Sequence, residues 1–377
     1  MTTNQHQASS GNLHLARALR ASALLGAGLL LCGFLVMGPF LGWTRGGQWL
    51  LPALAFWGLV WWQAWQRRDL NRLAEDSTPY PDLGMANHLT LLRGLLIAAT
   101  GGFLALPGLE GVIAWVPAAL YSTAAILDRI DGYLARTSAR VSLLGSQLDT
   151  VFDALGLLVA PILAVMMGKV HWSYLLVSAA YYFFVAGTAW RQRRRLPVQP
   201  LYPSPLRRAL AGFQMGYVAV VLWPPFGAPV TVPAGFGFMV PVLAGFALDW
   251  LVVSGRLDPG SPSVAAIFSR LRSFSAGLLL PAMRLTAAMA VFILAPVPDS
   301  LLADGLWLGA ILLLLGIGGR IAALGILMLL AWQFPGQELS PTGMLAVYAT
   351  IGILLLGCGR YSLWQQDDHW VHRQDGA

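Results

Sequence analysis

Apolar runs of about 17 to 25 residues recur along the whole chain, each long enough to cross a hydrocarbon core of roughly 30 Å at about 1.5 Å of helix rise per residue. That recurrence leaves few folds open. Backbone N–H and C=O groups in hydrocarbon must be satisfied inside the spanning structure, and single runs of this length satisfy theirs as α-helices. Composition agrees, since 57% of the 377 residues are apolar and only 11% are charged, far from the balance of a soluble domain. The chain reads as an all-α integral membrane protein, a polytopic helical bundle of about 12 transmembrane helices. Spans are expected at 21–43, 49–65, 88–107, 111–134, 143–166, 172–190, 206–223, 232–254, 275–296, 303–319, 321–334 and 342–358. The first follows the polar leader MTTNQHQASSGNLHLARALR, whose basic end imitates a secretory signal. The run after it is too long, and a second span comes too soon, so it reads as a membrane anchor.

Charge sets the orientation. Arg17, Arg20, Arg67, Arg68, Arg72, Arg129, Arg136, Arg140, the RQRRR run at 191–195, Arg207, Arg208, Arg256, Arg270, Arg272, Arg320, Arg360 and Arg373 fall on one side of the expected spans. Arg45 and Lys169 fall on the other. The basic side is expected to be cytoplasmic, with both termini. The net charge of +7 then reflects loops facing anionic lipid and calls for no nucleic acid; the 191–195 run reads as a stop-transfer and headgroup contact. Cys32 and Cys358 show neither pairing nor metal spacing, and His6, His14, His88, His171, His369 and His372 are scattered over tails and loops.

Against this background the stretch DRIDGYLARTSARVSLLGSQLDTVFD, residues 128–153, is costly. Asp128 and Asp131 are three apart and share a helix face with Gly132 and Ala135; Gly145, Asp149 and Asp153 are four apart and form a second stripe. Asp149 and Asp153 lie on the order of 9 to 15 Å below the expected cytoplasmic end of their span. At such depth a carboxylate costs about 2.5 to 3.5 kcal/mol on the lenient insertion scale. Arg136 and Arg140 are near enough in sequence to neutralise one or two of them. An interfacial charge cluster of that kind leaves the recurrence at i, i+3 and i, i+4 without a cause. A divalent cation supplies one, because hard cations want several converging oxygens and Mg²⁺ keeps open positions for phosphate. Gly132, Ala135 and Gly145 would then let a bulky ligand lie against the backbones, although small residues are also ordinary in membrane helix packing.

The pattern Asp128-x2-Asp131-Gly132-x2-Ala135-Arg136-x8-Gly145-x3-Asp149-x3-Asp153 resembles the signature of the CDP-alcohol phosphotransferase family at every defining position. The resemblance covers roughly residues 80–255, a six-helix core. Asn87-x2-Thr90-x2-Arg93 resembles the helix that opens that core, and Arg208 with Gln214 stands where members often carry a basic residue followed by Gln. Ala211 departs from a frequent Thr. The resemblance implies a transferase in which a hydroxyl attacks the distal phosphorus of a CDP-linked donor and CMP leaves. It implies a two-metal Mg²⁺ or Mn²⁺ site with Asp128, Asp131 and Asp149 as ligands, and Asp153 as second-metal ligand or general base. Arg136, Asn87, Thr90 and Gly132, with Ala135 and Gly145, are the implied nucleotide-site residues. The implied donor is CDP-diacylglycerol or another CDP-alcohol, the acceptor a small alcohol, and the setting phospholipid biosynthesis in the inner membrane of a bacterium, with the active site cytoplasmic. Membrane lipids are the expected surroundings, and a homodimer is compatible with this reading.

The expected organisation is a two-span extension at 1–79, the transferase domain at 80–255, a polar cytoplasmic connector at 256–274 and a four-helix membrane domain at 275–377. That last part resembles the DoxX-like family through PAMRLTAAMAVF, LGIGGRIAALGIL and GCGRYSLW; the alternative is a generic bundle. Arg284, some ten residues into its expected span, should be a paired or functional charge, with Asp249 as a candidate partner. Two other functions compete. A UbiA-like prenyltransferase also holds diphosphate through Asp-rich helices, but its motifs lie far apart. A transporter or redox-partner subunit of DoxX type would account for the C-terminal third and not for the aspartates.

Overall fold

The computed structural model describes residues 2–138, 140–201, 204–295, 300–334 and 336–367, with side chains from His14 onward. His369, His372 and Arg373, and the side chain of His6, lie outside the described residues. Every long element among the described residues is helical: α1 (Thr2–Leu41), α2 (Trp43–Gln66), α3 (Gly84–Gly102), α4 (Val116–Thr137), α5 (Leu143–Met166), α6 (Leu175–Arg193), α7 (Pro205–Val221), α8 (Ala228–Val253), α9 (Pro262–Phe274), α10 (Leu280–Leu294), α11 (Leu301–Leu315), α12 (Gly319–Gln333) and α13 (Pro341–Leu356). Among the described residues six stretches are long and apolar enough to cross a membrane: His14–Leu41, Gly84–Ala105, Gly111–Thr137, Leu143–Met166, Ala228–Val253 and Pro262–Leu294. The helices α11 to α13 are apolar but shorter. This is an integral membrane protein.

The expected connector at 256–274 is largely helix. Residues 262–274 of the connector form α9, which runs through a π turn at Ser275–Leu279 directly into α10. The cause is local: Ser261 Oγ accepts from the Val264 N–H, and Pro262 stands at the first turn, where its missing N–H costs nothing.

Contacts divide the chain into two units, and the division does not fall at the connector. The first comprises residues up to Met167 together with Val218–Trp223. Here α3 packs on α2, α4 and α5, and α1 on α2. Tryptophans tie the helices: Trp57 Nε1 donates to Ala23 O at 3.0 Å, Trp61 Nε1 to Leu19 O at 2.8 Å and Trp49 Nε1 to Ala99 O at 2.9 Å. Each ring brings large apolar area with one donor that must be satisfied when buried. A Cβ on Gly26 would stand 2.3 Å from the Trp57 ring, so the close approach of α1 and α2 needs a residue without a side chain. Helix α5 starts where Ser142 Oγ accepts from the Gly145 N–H at 3.0 Å.

The second unit comprises Gly168–Tyr217 and residues from Pro224 onward. In it α10 packs on α11 and α13, α12 on α11 and α13, and both α12 and α13 on α8. Two arginines, each 4% exposed, hold this assembly. Arg284 donates to Leu313 O (2.8 Å), Leu314 O (2.6 Å), Arg360 O (3.3 Å) and Tyr361 O (3.2 Å). Arg320 Nη1 donates to Leu354 O (2.7 Å) and Leu355 O (3.2 Å). They cap the C-terminal carbonyls of α11 and α13, groups that a helix cannot satisfy by itself. The expected Arg284–Asp249 pair is not formed; Asp249 Oδ2 instead lies 2.7 Å from Arg207 Nε. A buried arginine can be fully served by carbonyl oxygens, so it needs no acid.

Arg284→Met should therefore lower the resistance of the detergent-solubilised protein to thermal unfolding by about 1 to 3 kcal/mol, the cost of stranding buried acceptors. Asp249→Asn should leave the proteolytic protection of residues 280–356 unchanged. Equal effects of the two changes would restore the acid as the partner of Arg284.

Candidate active site

Three helices of the first unit meet at one side chain. Arg93 comes from the middle of α3 and is 1% exposed. Its Nη1 donates to Asp128 Oδ1 and lies 3.5 Å from both Asp131 Oδ2 and Asp149 Oδ1; its Nη2 is 2.9 Å from Asp153 Oδ1 and donates to the Asp149 carbonyl at 3.1 Å. All four aspartates therefore converge on a single guanidinium. The helix register explains this: three-residue spacing on α4 and four-residue spacing on α5 turn both pairs toward α3. Thr90, one turn before Arg93, donates to Asp131 Oδ2 at 3.1 Å.

The cluster has a closed floor and an open rim. Arg93 and Asp131 side chains are 2% and 3% exposed, whereas those of Asp128, Asp149 and Asp153 are 28%, 39% and 42% exposed. A ligand can reach the last three. Four carboxylates against one guanidinium leave a formal excess of negative charge, and Asp149 Oδ1 is buried without a hydrogen-bond partner. This donor set fits a divalent cation: hard anionic oxygens, more of them than the resident cation can neutralise. Among the described residues no three such groups close on a common metal position; the Arg93 guanidinium lies within 3.5 Å of all four carboxylates.

Other expected site residues fall into two groups. A Cβ on Gly132 would lie 3.2 Å from Arg136 Nη1, so the arginine runs along the bare face of Gly132; Ala135 is half-buried beside them. Asn87 and Gly145 belong to a buried polar knot next to the aspartates. Asn87 Nδ2 donates to Leu83 O (2.7 Å), Asn71 Oδ1 (3.1 Å) and Ser142 Oγ (3.2 Å), while Ser142 Oγ also meets Asn87 Oδ1 at 3.2 Å. Gly145 is small for a visible reason: a Cβ there would stand 2.7 Å from Asn87 Oδ1. Arg140 turns away from the cluster to pair with Asp82, and that hydrogen bond holds the Asp82 carboxyl below its ordinary range. In the second unit, Arg208 is exposed and Gln214 is buried with neither amide atom hydrogen-bonded. Arg93 is the residue whose position the sequence reading noted without a role. Its signal was a lone arginine well inside an apolar run, which by default marks a paired or functional charge.

Residues 83–250 match the model of the CDP-alcohol phosphatidyltransferase family. This segment belongs to that family. The match takes in α3 to α8, with all four aspartates and Arg93. CDP-alcohol phosphatidyltransferases are enzymes of the 2.7.8 class, transferring from a CDP-alcohol with release of CMP. No curated protein and no solved structure matched the chain. The family match ends at residue 250, and the DoxX-like resemblance of the C-terminal part finds no support.

The knot yields a double-variant test. Gly145→Ala should destabilise the protein by about 1 to 3 kcal/mol through overpacking. In an Asn87→Ala background the same change should cost less, with a coupling of at least about 0.5 kcal/mol by thermal unfolding. Simple additivity would mean that Asn87 is not what crowds Gly145.

Proposed function

We propose that the protein is a phosphatidyltransferase of phospholipid synthesis, using CDP-diacylglycerol as donor and a small alcohol as acceptor. The observation that carries this reading is the convergence of Asp128, Asp131, Asp149 and Asp153 within a segment of the CDP-alcohol phosphatidyltransferase family. A membrane-embedded carboxylate cluster with an open rim suits a donor whose diphosphate lies at the headgroup level while its acyl chains stay in lipid. Asp128, Asp131 and Asp149 would hold Mg²⁺ or Mn²⁺, and Asp153 is assigned to the proton rather than to the metal. Bound there, a divalent metal would neutralise the diphosphate and stabilise the departing CMP oxygen. Arg136, lying along Gly132, would face the nucleotide, and Thr90 fixes Asp131 through its hydroxyl. Asp153 takes the proton of the acceptor hydroxyl as its oxygen bonds to the distal phosphorus and the bond to CMP breaks. Asn87 and Gly145 act on the site through the start of α5. The basic loops are taken as cytoplasmic, in a bacterial inner membrane, so that a cytosolic nucleotide is released where it is used; α2, α6, α7 and α11 to α13 would complete the set of about twelve spans.

The direct test incubates purified protein with CDP-diacylglycerol, Mg²⁺ or Mn²⁺ and a panel of alcohols and follows CMP release. Asp153→Asn should lower turnover by about 10² to 10⁴, the usual worth of a general base, with donor affinity nearly unchanged and no rescue by metal. Asp128→Asn, Asp131→Asn and Asp149→Asn should weaken metal binding, with partial recovery at high Mn²⁺. If Asp153→Asn loses donor binding as badly as Asp128→Asn, Asp153 is a metal ligand first. Orientation is read separately: a cysteine at position 193, in a chain lacking Cys32 and Cys358, should resist impermeant thiol reagents added to intact cells. Modification from outside would put the basic loops on the wrong face.

A further inference from the structure

Arg93 has more to do than neutralise one aspartate. Its two terminal nitrogens divide the cluster: Nη1 faces Asp128, Asp131 and Asp149, the last two at 3.5 Å, and Nη2 faces Asp153 at 2.9 Å. The three carboxylates around Nη1 are the three assigned above to metal, so a positive group already stands where a shared cation would be drawn. The guanidinium is also buried, 1% exposed, with a further bond from Nη2 to the Asp149 carbonyl. A charge this deep persists only when paired, and the carboxylates, deprived of it, would face one another unshielded inside a lipid-embedded bundle.

Resting on the metal reading of the aspartates, we infer that Arg93 is the resident counter-ion of the metal site: it holds the four carboxylates together before metal arrives, and metal must displace Nη1 from Asp128, Asp131 and Asp149 to bind. Two cations that compete for the same oxygens are negatively coupled, and the coupling is reciprocal. Metal binding then loosens the grip of Arg93 on α4 while Nη2 keeps Asp153. Arg93 is a positioning residue, acting on the reaction through the carboxylates it orders.

The experiment measures Mn²⁺ binding to the purified full chain by electron paramagnetic resonance of free Mn²⁺, together with thermal unfolding in chelator and in Mn²⁺. Neither readout requires turnover. Arg93→Gln, which removes the competing charge, should bind Mn²⁺ about 5- to 150-fold more tightly than the wild type, the usual range of coupling between two sites. It should melt earlier than wild type in chelator and gain more from Mn²⁺. Arg93→Lys keeps a charge but loses the fork that reaches several carboxylates; it should also tighten binding, by a smaller factor, and it decides the matter if Arg93→Gln does not fold. Unchanged or weaker Mn²⁺ binding in the folded variants overturns the inference while leaving the metal reading intact. A wild type that takes up no Mn²⁺ overturns both.

Discussion

The structure of the first unit depends on a charge imbalance. One buried guanidinium holds four carboxylates drawn from two helices, and removing any of these charges from water is expensive. The arrangement is tolerable because the imbalance is not sealed in: Asp131 and Arg93 form the buried floor, and the three other aspartates keep part of their surface accessible. That distribution gives α3, α4 and α5 a reason to meet where they do. It also leaves the cluster an excess of negative charge that a cation or the counter-charge of a ligand can relieve. Stability and chemistry therefore draw on the same electrostatic term, which is why the most costly residues in the chain stand at its candidate active site.

Much of this was legible in the sequence. The spacing of the four aspartates placed them on two facing stripes, and the structure brings those stripes to one point. What remained hidden was the cation between them. Arg129, Arg136 and Arg140 are the nearest basic residues along the chain, yet Arg140 turns to Asp82, and the guanidinium that all four aspartates share is that of Arg93, 35 residues before Asp128. Sequence distance says little about which charge crosses a bundle. Asn87 and Gly145 show a different limit. Their place in a motif implies a nucleotide site; in the structure Asn87 also spans Asn71, Leu83 and Ser142, and Gly145 makes room for it. A polar knot that sets the start of α5 carries the same residues as a ligand contact would.

Helix positions were also readable, because hydropathy reports on the lipid that each run must meet. The helix at 262–274 was less so, since its apolar residues, Val264, Ile267, Phe268 and Leu271, are diluted by Ser and Arg. Their i, i+3, i+4, i+7 spacing was the available signal. All of α9 lies outside the core, so helical periodicity without burial is what a hydropathy average misses.

The buried arginines of the second unit follow a rule that explains why their partners could not be named from sequence. Helices α11 and α13 end in the same way, Leu-Leu-Leu-Gly-x-Gly at 313–318 and 354–359, with φ of 64° and 54° at Gly316 and Gly318, and 90° and 71° at Gly357 and Gly359. Left-handed glycines stop each helix, so carbonyls of its last turn are open to donors from outside the helix. Arg284 serves Leu313 and Leu314; Arg320 serves Leu354 and Leu355, the corresponding positions of the second ending. The repetition makes an incidental contact an inadequate account of either arginine. In a membrane the free end of a helix must find donors within the protein, and a five-donor side chain from the preceding helix supplies several at once. Backbone acceptors have no residue identity, so a search along the sequence for an acidic partner looks for the wrong chemistry. Where an apolar helix ends on paired glycines inside a bundle, an arginine nearby is better read first as its cap.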